Sequence, residues 1–130
     1  MDKYELEKRT RRFALDVILF ATTLPNNKTG EIITYQLVKA GTSVGANYHE
    51  ANRAESRKDF IHKIAIVEKE AAESRYWLGL CLEGTFGHAQ KCRYLWQEAG
   101  ELLAIFTQSG KTAKASMVGA RNSKIFPKAK

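Results

Sequence analysis

The sequence has few residues that break helices or cross-link a chain. Only two prolines, Pro25 and Pro127, occur among the 130 residues, so most of the chain between them is free to be helical. The two cysteines, Cys81 and Cys92, are too few for a disulfide framework. They are typical of a reducing cytoplasm, in which a buried thiol packs as a small apolar group.

The sequence also lacks a long apolar run. No run reaches the roughly 18 residues that a membrane-spanning helix needs, and residues 1–12 are rich in charge. We therefore expect neither a signal peptide nor a membrane span, and we expect a cytoplasmic protein. The hydrophobic content of 44% and the charged content of 27% are those of an ordinary soluble protein. At this length the chain is expected to form one domain with a real core.

Acidic residues are missing from the end of the chain. Residues 102–130 contain 6 Lys or Arg and no Asp or Glu, whereas residues 1–101 contain 15 Lys or Arg and 14 Asp or Glu. The net charge of +7 is therefore concentrated in the C-terminal part. A basic end can collect phosphate-rich partners through counterion release. The alternative is a solvated tail that aids solubility.

Apolar residues recur at helical spacing in four segments with short connections between them, and no strand alternation is present. This pattern predicts an all-α, up-down-up-down antiparallel four-helix bundle that assembles as a homo-oligomer. Residues 117–130 show no sustained period and are expected to be a basic, disordered tail. The expected helices cover residues 4–24, 31–54, 57–83 and 88–115 of a domain that spans residues 1–116.

Local signals refine the second and third helices. Thr29 is the expected N-cap of the second helix, and Ser56 with Asp59 resembles a capping box before the third. Gly41 and Gly45 lie in a segment of small residues in the second helix. Because a glycine inside a helix costs roughly 1 kcal/mol relative to alanine, these two predict a close approach by another helix.

An asparagine interrupts the apolar seam that the sequence predicts along the second helix. A lone buried amide costs on the order of 1–3 kcal/mol unless it is paired. We therefore expect a structural polar network that fixes the register of the helices. Its expected members, by their spacing on the second and third helices, are Ser43, Asn47, Glu50, Glu70 and Glu73.

Nothing in the sequence favours catalysis. P-loop, GxGxxG, CxxC and HExxH motifs are all missing. A di-metal site in a helical bundle needs two Glu-x-x-His pairs, and the one acid-x-x-His pair here joins Asp59 to His62. We therefore expect no enzymatic activity, no cofactor and no metal.

Basic residues form clusters that suit the binding of nucleic acid. Lys and Arg side chains near Tyr4 and Tyr48 would grip phosphates and stack a base. A solvated surface of salt bridges is the alternative, because acidic residues are interleaved with the basic ones. The residues predicted to bind nucleic acid are Arg9, Arg11, Arg12, Arg53, Arg57, Lys58, Lys63, Lys111 and Lys114.

The centre of the chain carries three motifs in close succession. They are S-V-x-A-N-x-x-E-A at residues 43–51, K-x-F-I-x-K at residues 58–63 and K-E-A-x-E-S-x-Y-W-L at residues 69–78. Together they resemble the signature of the four helix bundle protein family, also called bacterial rRNA intervening-sequence proteins. The resemblance covers about residues 10–115. Gly45 is a departure, since proline or another small residue is common there.

The resemblance implies a protein encoded within an intervening sequence of a bacterial large-subunit ribosomal RNA gene. The family is also similar to the accessory variability determinants of diversity-generating retroelements. Those proteins form homopentamers that bind nucleic acid and a reverse transcriptase, and no catalytic residues come with the family. We therefore expect a non-enzymatic homopentamer whose partners are RNA or DNA and a reverse transcriptase. The alternative is a structural protein–protein interaction module with no affinity for nucleic acid.

Overall fold

The chain folds into four α-helices. The computed structural model describes the backbone of residues 1–125 and the side chains of residues 1–119, and it shows no strand in that range. The all-α, four-helix fold predicted from the sequence is therefore confirmed. The helices are α1 at Lys3–Ala21, α2 at Lys28–Ala51, α3 at Arg57–Gly84 and α4 at Ala89–Ile125.

The helices pack as expected for a bundle. The backbone of each helix lies against that of the next in sequence, and α1 also lies against α4, whereas in the described residues no Cα atom of α1 comes within 8 Å of α3, and none of α2 within 8 Å of α4. The centre is filled by large apolar side chains from all four helices. Its largest fully buried members are Phe13, Phe20, Leu37, Ile64, Leu78, Leu95, Leu102 and Phe106.

The second helix begins earlier than the sequence suggested. Asn27 is its N-cap, because the side-chain oxygen accepts a hydrogen bond of 3.0 Å from the N–H of Gly30. The predicted cap, Thr29, lies inside the first turn. Gly30 is buried against Pro25, and a Cβ added to it would lie 1.7 Å from the Pro25 carbonyl oxygen. A residue with a Cβ therefore cannot replace Gly30 in this turn. The contact of Gly30 with Pro25 and its hydrogen bond to Asn27 both hold the start of the helix.

The third helix begins at residue 57, as predicted, and ends at residue 84, one residue beyond the predicted end. Ser56 is its N-cap and accepts a hydrogen bond of 3.0 Å from the N–H of Asp59. The left-handed residue after the helix is Thr85, with φ of 56°, rather than a glycine. Gly84 is still needed beside it, because a Cβ there would lie 2.5 Å from the ring of Phe86.

The fourth helix is longer than predicted. It passes through Gly110 and continues to Ile125, so residues 117–125 are helical and their expected disorder is wrong. Residues 126–130 of the predicted tail lie outside the described part of the chain. A helix that runs past its neighbours needs no periodic apolar stripe, and the next residue that stops a helix is Pro127. The missing apolar period therefore did not indicate an irregular backbone over residues 117–125.

The small-residue segment of α2 makes the close approach that the sequence predicted. A Cβ at Gly41 would lie 2.8 Å from Cγ1 of Val17, and a Cβ at Gly45 would lie 3.3 Å from Oγ1 of Thr10. Both neighbours are in α1. The two glycines therefore let the backbones of α1 and α2 come together along the middle of both helices.

The predicted seam of α2 is wrong at one position. Tyr48, rather than Asn47, is buried after Val44, and its ring lies 5.2 Å from the ring of Phe106 between centroids. Asn47 is half-buried. Ala51, one turn further on, is buried again, so the seam departs from the predicted one at this turn alone, where the Tyr48 ring packs on α4.

Candidate nucleic-acid interface

Contacts between helices bring the start of α1, the α2–α3 connection and the later part of α4 to one end of the fold. The carboxylate of Glu7 accepts a hydrogen bond of 3.0 Å from Asn52 Nδ2 and lies 3.5 Å from His49 Nδ1. Lys58, at the start of α3, and Lys114, in the later part of α4, line the same cavity. We call this region, formed by residues 1–12, 49–63 and 108–119, the basic end.

The basic end differs in charge from the rest of the fold. It contains 11 Lys or Arg and 6 Asp or Glu, for a net charge of +5. The rest of residues 1–119 contains 6 Lys or Arg and 8 Asp or Glu, for a net charge of −2. The structure therefore brings the three predicted basic clusters, which are far apart in sequence, to one end of the fold, and that end carries a net positive charge.

Two of the nine predicted cations are engaged within the chain. Arg9 forms a bidentate ion pair with Glu98, in which Nε donates to Oε2 at 2.8 Å and Nη2 donates to Oε1 at 2.6 Å. Its Nη2 also lies 3.2 Å from Oε1 of Glu101. The hydrogen bonds that Arg9 donates to Glu98 raise the pKa of Arg9, so the guanidinium stays charged and fixed. Arg12 pairs with Asp16 at 3.0 Å, but it remains 66% exposed. Arg9 is therefore poorly placed to contact an external phosphate, whereas Arg12 is accessible.

The other predicted cations form no ion pair within residues 1–119. Lys63 is half-buried, and the rest are exposed. An exposed cation without a carboxylate partner can approach a phosphate without first breaking an ion pair. The exposed members of this set are Arg11, Arg53, Arg57, Lys58, Lys111 and Lys114.

An open groove of about 660 Å³ runs between α1 and α2 beside the basic end. Gly45 and Ala46 lie along it and leave room above the α2 backbone. Lys8, Arg11 and the largely exposed ring of Tyr4 border the groove. The sequence prediction missed Lys8, whose place beside Arg11 one turn on was a usable signal.

The five residues of the predicted polar network do not bond to one another's side chains within the described residues. Asn47 Nδ2 donates to the backbone oxygen of Ser43 at 2.8 Å, and Ser43 Oγ donates to the backbone oxygen of Lys39 at 2.6 Å. Glu50 is exposed. These side chains are satisfied locally by carbonyls of their own helix, so no interhelical network is needed.

The two glutamates of α3 in that set are half-buried. Partial burial, followed by the charge of Glu73, raises the pKa of Glu70 above its ordinary value. The backbone oxygen of Glu70 accepts a hydrogen bond of 2.8 Å from the buried Ser74 hydroxyl. Glu70 therefore lies on the edge of the core as an isolated carboxylate.

The groups that metal or thiol chemistry would need are dispersed or inert. Across the described residues, no cluster of three or more His, Cys, Asp or Glu side chains is placed to hold a metal ion. Cys81 and Cys92 are buried free thiols, and burial raises the pKa of Cys81 to about 12 and that of Cys92 to about 11. Neither thiol forms an appreciable thiolate at neutral pH. None of the described helices has the length and apolar character needed to cross a membrane.

Comparison with known proteins places this fold in a family. The family described as 23S rRNA-intervening sequence protein matches residues 2–108. A crystal structure of a protein of unknown function from the S23 ribosomal protein family of Bacteroides thetaiotaomicron VPI-5482 is similar, with 29% identity and a TM-score of 0.76. The match covers 85% of this chain and 99% of that one. A search of curated proteins gave no match. This chain therefore belongs to the 23S rRNA-intervening sequence protein family.

Proposed function

We propose that this protein is a non-enzymatic accessory protein that binds nucleic acid through its basic end. The observation that carries the proposal is the charge separation, with +5 at the basic end against −2 over the rest of residues 1–119. Phosphates would be bound by exposed cations from three separate parts of the chain. Binding would rest mainly on release of counterions from the nucleic acid, so it would depend on salt more than on base sequence.

The groove between α1 and α2 supports the same proposal. Lys8 and Arg11 would track a phosphate backbone along its rim, while Tyr4 offers an exposed aromatic face on which a base stacks. His49 and Glu50 also border the groove. The carboxylates of Glu50 on α2 and of Glu7 on α1 also line the groove and would repel phosphate, so the path would follow Lys8 and Arg11 on its rim.

The helices are proposed to run up-down-up-down, because the interhelical contacts pair opposite ends. Thr10 lies on Gly45 whereas Val17 lies on Gly41, so residue numbers rise along α1 as they fall along α2. Trp96 lies beside Gly79 whereas Gly110 lies beside Ile64, which gives the same relation for α3 and α4. All three connections would then be short.

The protein is further proposed to assemble as a homo-oligomer. Two different apolar surfaces are exposed on helices that do not contact each other: Leu15, Ile18 and Leu19 of α1, and Tyr76 with Leu80 of α3. Both lie in the later half of a helix, and therefore at the same height in an up-down bundle. Contact between two unlike surfaces at one height repeats around a rotation axis and closes into a ring. Such a ring would place the basic ends of all its subunits on one rim. The family resemblance favours a ring of five subunits.

The genetic setting is proposed from the family. Its name favours a protein encoded within an intervening sequence of a 23S ribosomal RNA gene. A setting beside a reverse transcriptase, which would then be a partner, is the other possibility that the resemblance raised. Sequencing the neighbouring genes separates the two, because a reverse-transcriptase gene next to this one would favour the retroelement.

The test is a binding titration with fluorescently labelled structured RNA and duplex DNA at low salt. We expect the triple variant Arg11→Glu, Arg53→Glu, Arg57→Glu to weaken binding at least tenfold. The matched control is Lys28→Glu, Lys91→Glu, Arg93→Glu, which makes the same change of charge outside the basic end. Equal loss in both variants would show that only net charge matters. Wild-type protein that binds neither nucleic acid at low salt would contradict the proposal.

A structural interaction module is the second candidate, and the exposed apolar side chains of α1 and α3 favour it. It predicts a defined oligomer that has no affinity for RNA or DNA. The same titration separates the two candidates, provided that the oligomer is intact at the concentrations used.

A further inference from the structure

Arg75 of α3 stacks on Trp96 of α4. The guanidinium carbon lies 4.3 Å from the centroid of the Trp96 ring, within the range of a cation–π interaction. Gly100 makes room for the stack, and Gly79 lies beside it at an ordinary contact distance. A Cβ at Gly100 would lie 3.1 Å from Arg75 Nε, and a Cβ at Gly79 would lie 3.5 Å from Trp96 Nε1. The pair is therefore held flat between the backbones of α3 and α4.

The guanidinium of Arg75 has no hydrogen-bond acceptor among the residues whose side chains the structure describes. Its Nε is buried without a hydrogen-bond partner, alone in that respect among the buried side-chain nitrogen and oxygen atoms of the described residues. No carboxylate within residues 1–119 forms an ion pair with it. A half-buried arginine without an acceptor is unusual, because the loss of its water is not offset. The two terminal nitrogens are neither buried nor bonded, so they remain open to an external carboxylate.

The surroundings of Arg75 are apolar. Ala72, Tyr76, Leu80 and Leu103 line a groove of about 530 Å³ around the stack. Glu83 also lines this groove, but it lies eight residues further along α3, about 12 Å away along the helix axis. A ligand that fills this groove would be mostly apolar and would carry one carboxylate at the position of Arg75.

We propose that the groove receives α1 of a second copy of this chain, and that Arg75 pairs with Asp16 of that copy. The proposal rests on the homo-oligomer proposed above and names its contact. The outer face of α1 has the required chemistry, because Leu15, Ile18 and Leu19 are 48%, 41% and 54% exposed. Asp16 is the only carboxylate in residues 13–24 of the sequence.

The pairing fits the geometry of both partners. Among residues 1–119 of its own chain Asp16 bonds only to Arg12, a side chain that is 66% exposed and can turn to solvent. A planar guanidinium can bind a carboxylate through two parallel hydrogen bonds while one of its faces stays on Trp96. Arg75 would thus gain the acceptor that it lacks in the single chain. Asp16 would exchange a solvated partner for one shielded by apolar side chains.

A charge swap tests the proposal by light scattering on the purified full-length protein. We expect Arg75→Glu and Asp16→Arg each to raise the concentration at which the oligomer dissociates by at least tenfold, and the double variant to recover most of that loss. Lys69→Glu is the matched control, since it reverses an exposed charge on the same helix, and it should leave the size unchanged. Circular dichroism should show that the helical content of every variant is retained.

A second variant avoids any concern about folding. Gly79→Ala removes a glycine from a helix, and the new methyl would meet Trp96 at an ordinary contact distance. We expect the melting temperature of the isolated subunit to rise while assembly weakens, because the methyl enters the groove. Wild-type oligomer whose size is insensitive to Arg75→Glu and to Gly79→Ala would overturn this contact and leave the proposed oligomer standing. Wild-type protein that is monomeric would overturn both.

Discussion

The guanidinium of Arg9 and the carboxylate of Glu98 form two parallel hydrogen bonds, Nε to Oε2 at 2.8 Å and Nη2 to Oε1 at 2.6 Å. They join α1 to α4, the adjacent pair of helices with the least contact. Both side chains are shielded, at 24% and 13% exposure. The pair therefore fixes the start of α1 against the bundle, and a residue predicted from sequence to bind nucleic acid has a structural role.

Replacing Arg9 should destabilise the fold with little effect on binding. Arg9→Ala leaves the shielded Glu98 carboxylate without its partner, which we expect to cost about 1–2 kcal/mol of unfolding free energy. Arg11→Ala, at an exposed neighbouring position, should cost less than about 0.5 kcal/mol. Urea denaturation of both variants measures the difference. Equal costs, or a loss of RNA affinity larger for Arg9→Ala than for Arg11→Ala, would contradict this assignment.

Glu7 should make the fold sensitive to acid. The hydrogen bond from Asn52 lowers the pKa of Glu7 below its ordinary value of 4.5, and the nearby His49 acts in the same direction. Stability from a lowered carboxyl pKa is present above the ordinary value and is lost as the pH falls through the lowered one. Glu7→Gln should therefore be less stable than wild type at pH 7, with the difference closing below about pH 4. Thermal melts across this range measure it, with Glu50→Gln as the exposed control.

Glu70 should act in the opposite direction. Burial and the neighbouring Glu73 raise the pKa of Glu70, so its ionised form is less favourable in the folded chain than in the unfolded one. Stability from a raised pKa is present below the ordinary value and is lost as the pH rises through the raised one. Glu70→Gln should therefore melt at a higher temperature than wild type at pH 7. A variant that melts lower at pH 7 would show that the carboxylate makes a contact that offsets its burial.

The close approach of α1 and α2 should make Gly41 intolerant of a side chain. The new Cβ of Gly41→Ala would lie 2.8 and 3.0 Å from the two methyls of the buried Val17. We expect a net loss of about 1–2 kcal/mol, since overpacking exceeds the gain in helix propensity. Gly45→Ala is the control, with its nearest new contact at 3.3 Å, and should change stability by less than about 1 kcal/mol either way. Chemical denaturation of the two variants gives the comparison.

Much of this fold could be predicted from the sequence, because helix spacing and glycine position are local signals. The four helical segments are confirmed, as is the approach of α1 to Gly41 and Gly45. The predictions were wrong where a contact between distant helices, rather than the spacing of nearby residues, decides which side chain is buried. The seam of α2 moved to Tyr48 because its ring packs on Phe106 of α4, which no local spacing reveals.

The candidate site was predictable as a set of residues but not as a surface. Clusters of Lys and Arg are visible in the sequence, whereas the pairing of Arg9 with Glu98 spans 89 residues and depends on how α1 meets α4. The charge difference between the two parts of the fold likewise appears only when distant segments are brought together. The stack of Arg75 on Trp96 had no sequence signal, because each residue alone is ordinary in an amphipathic helix.

The most direct test of the basic end is the salt dependence of RNA affinity. We predict that the logarithm of the binding constant falls linearly with the logarithm of the salt concentration, with a slope of several units. Arg57→Ala and Lys58→Ala should each reduce that slope by about one unit, because each removes a phosphate contact. Lys28→Ala, outside the basic end, should leave it unchanged. Binding that is independent of salt, or a slope that none of these replacements alters, would contradict the account.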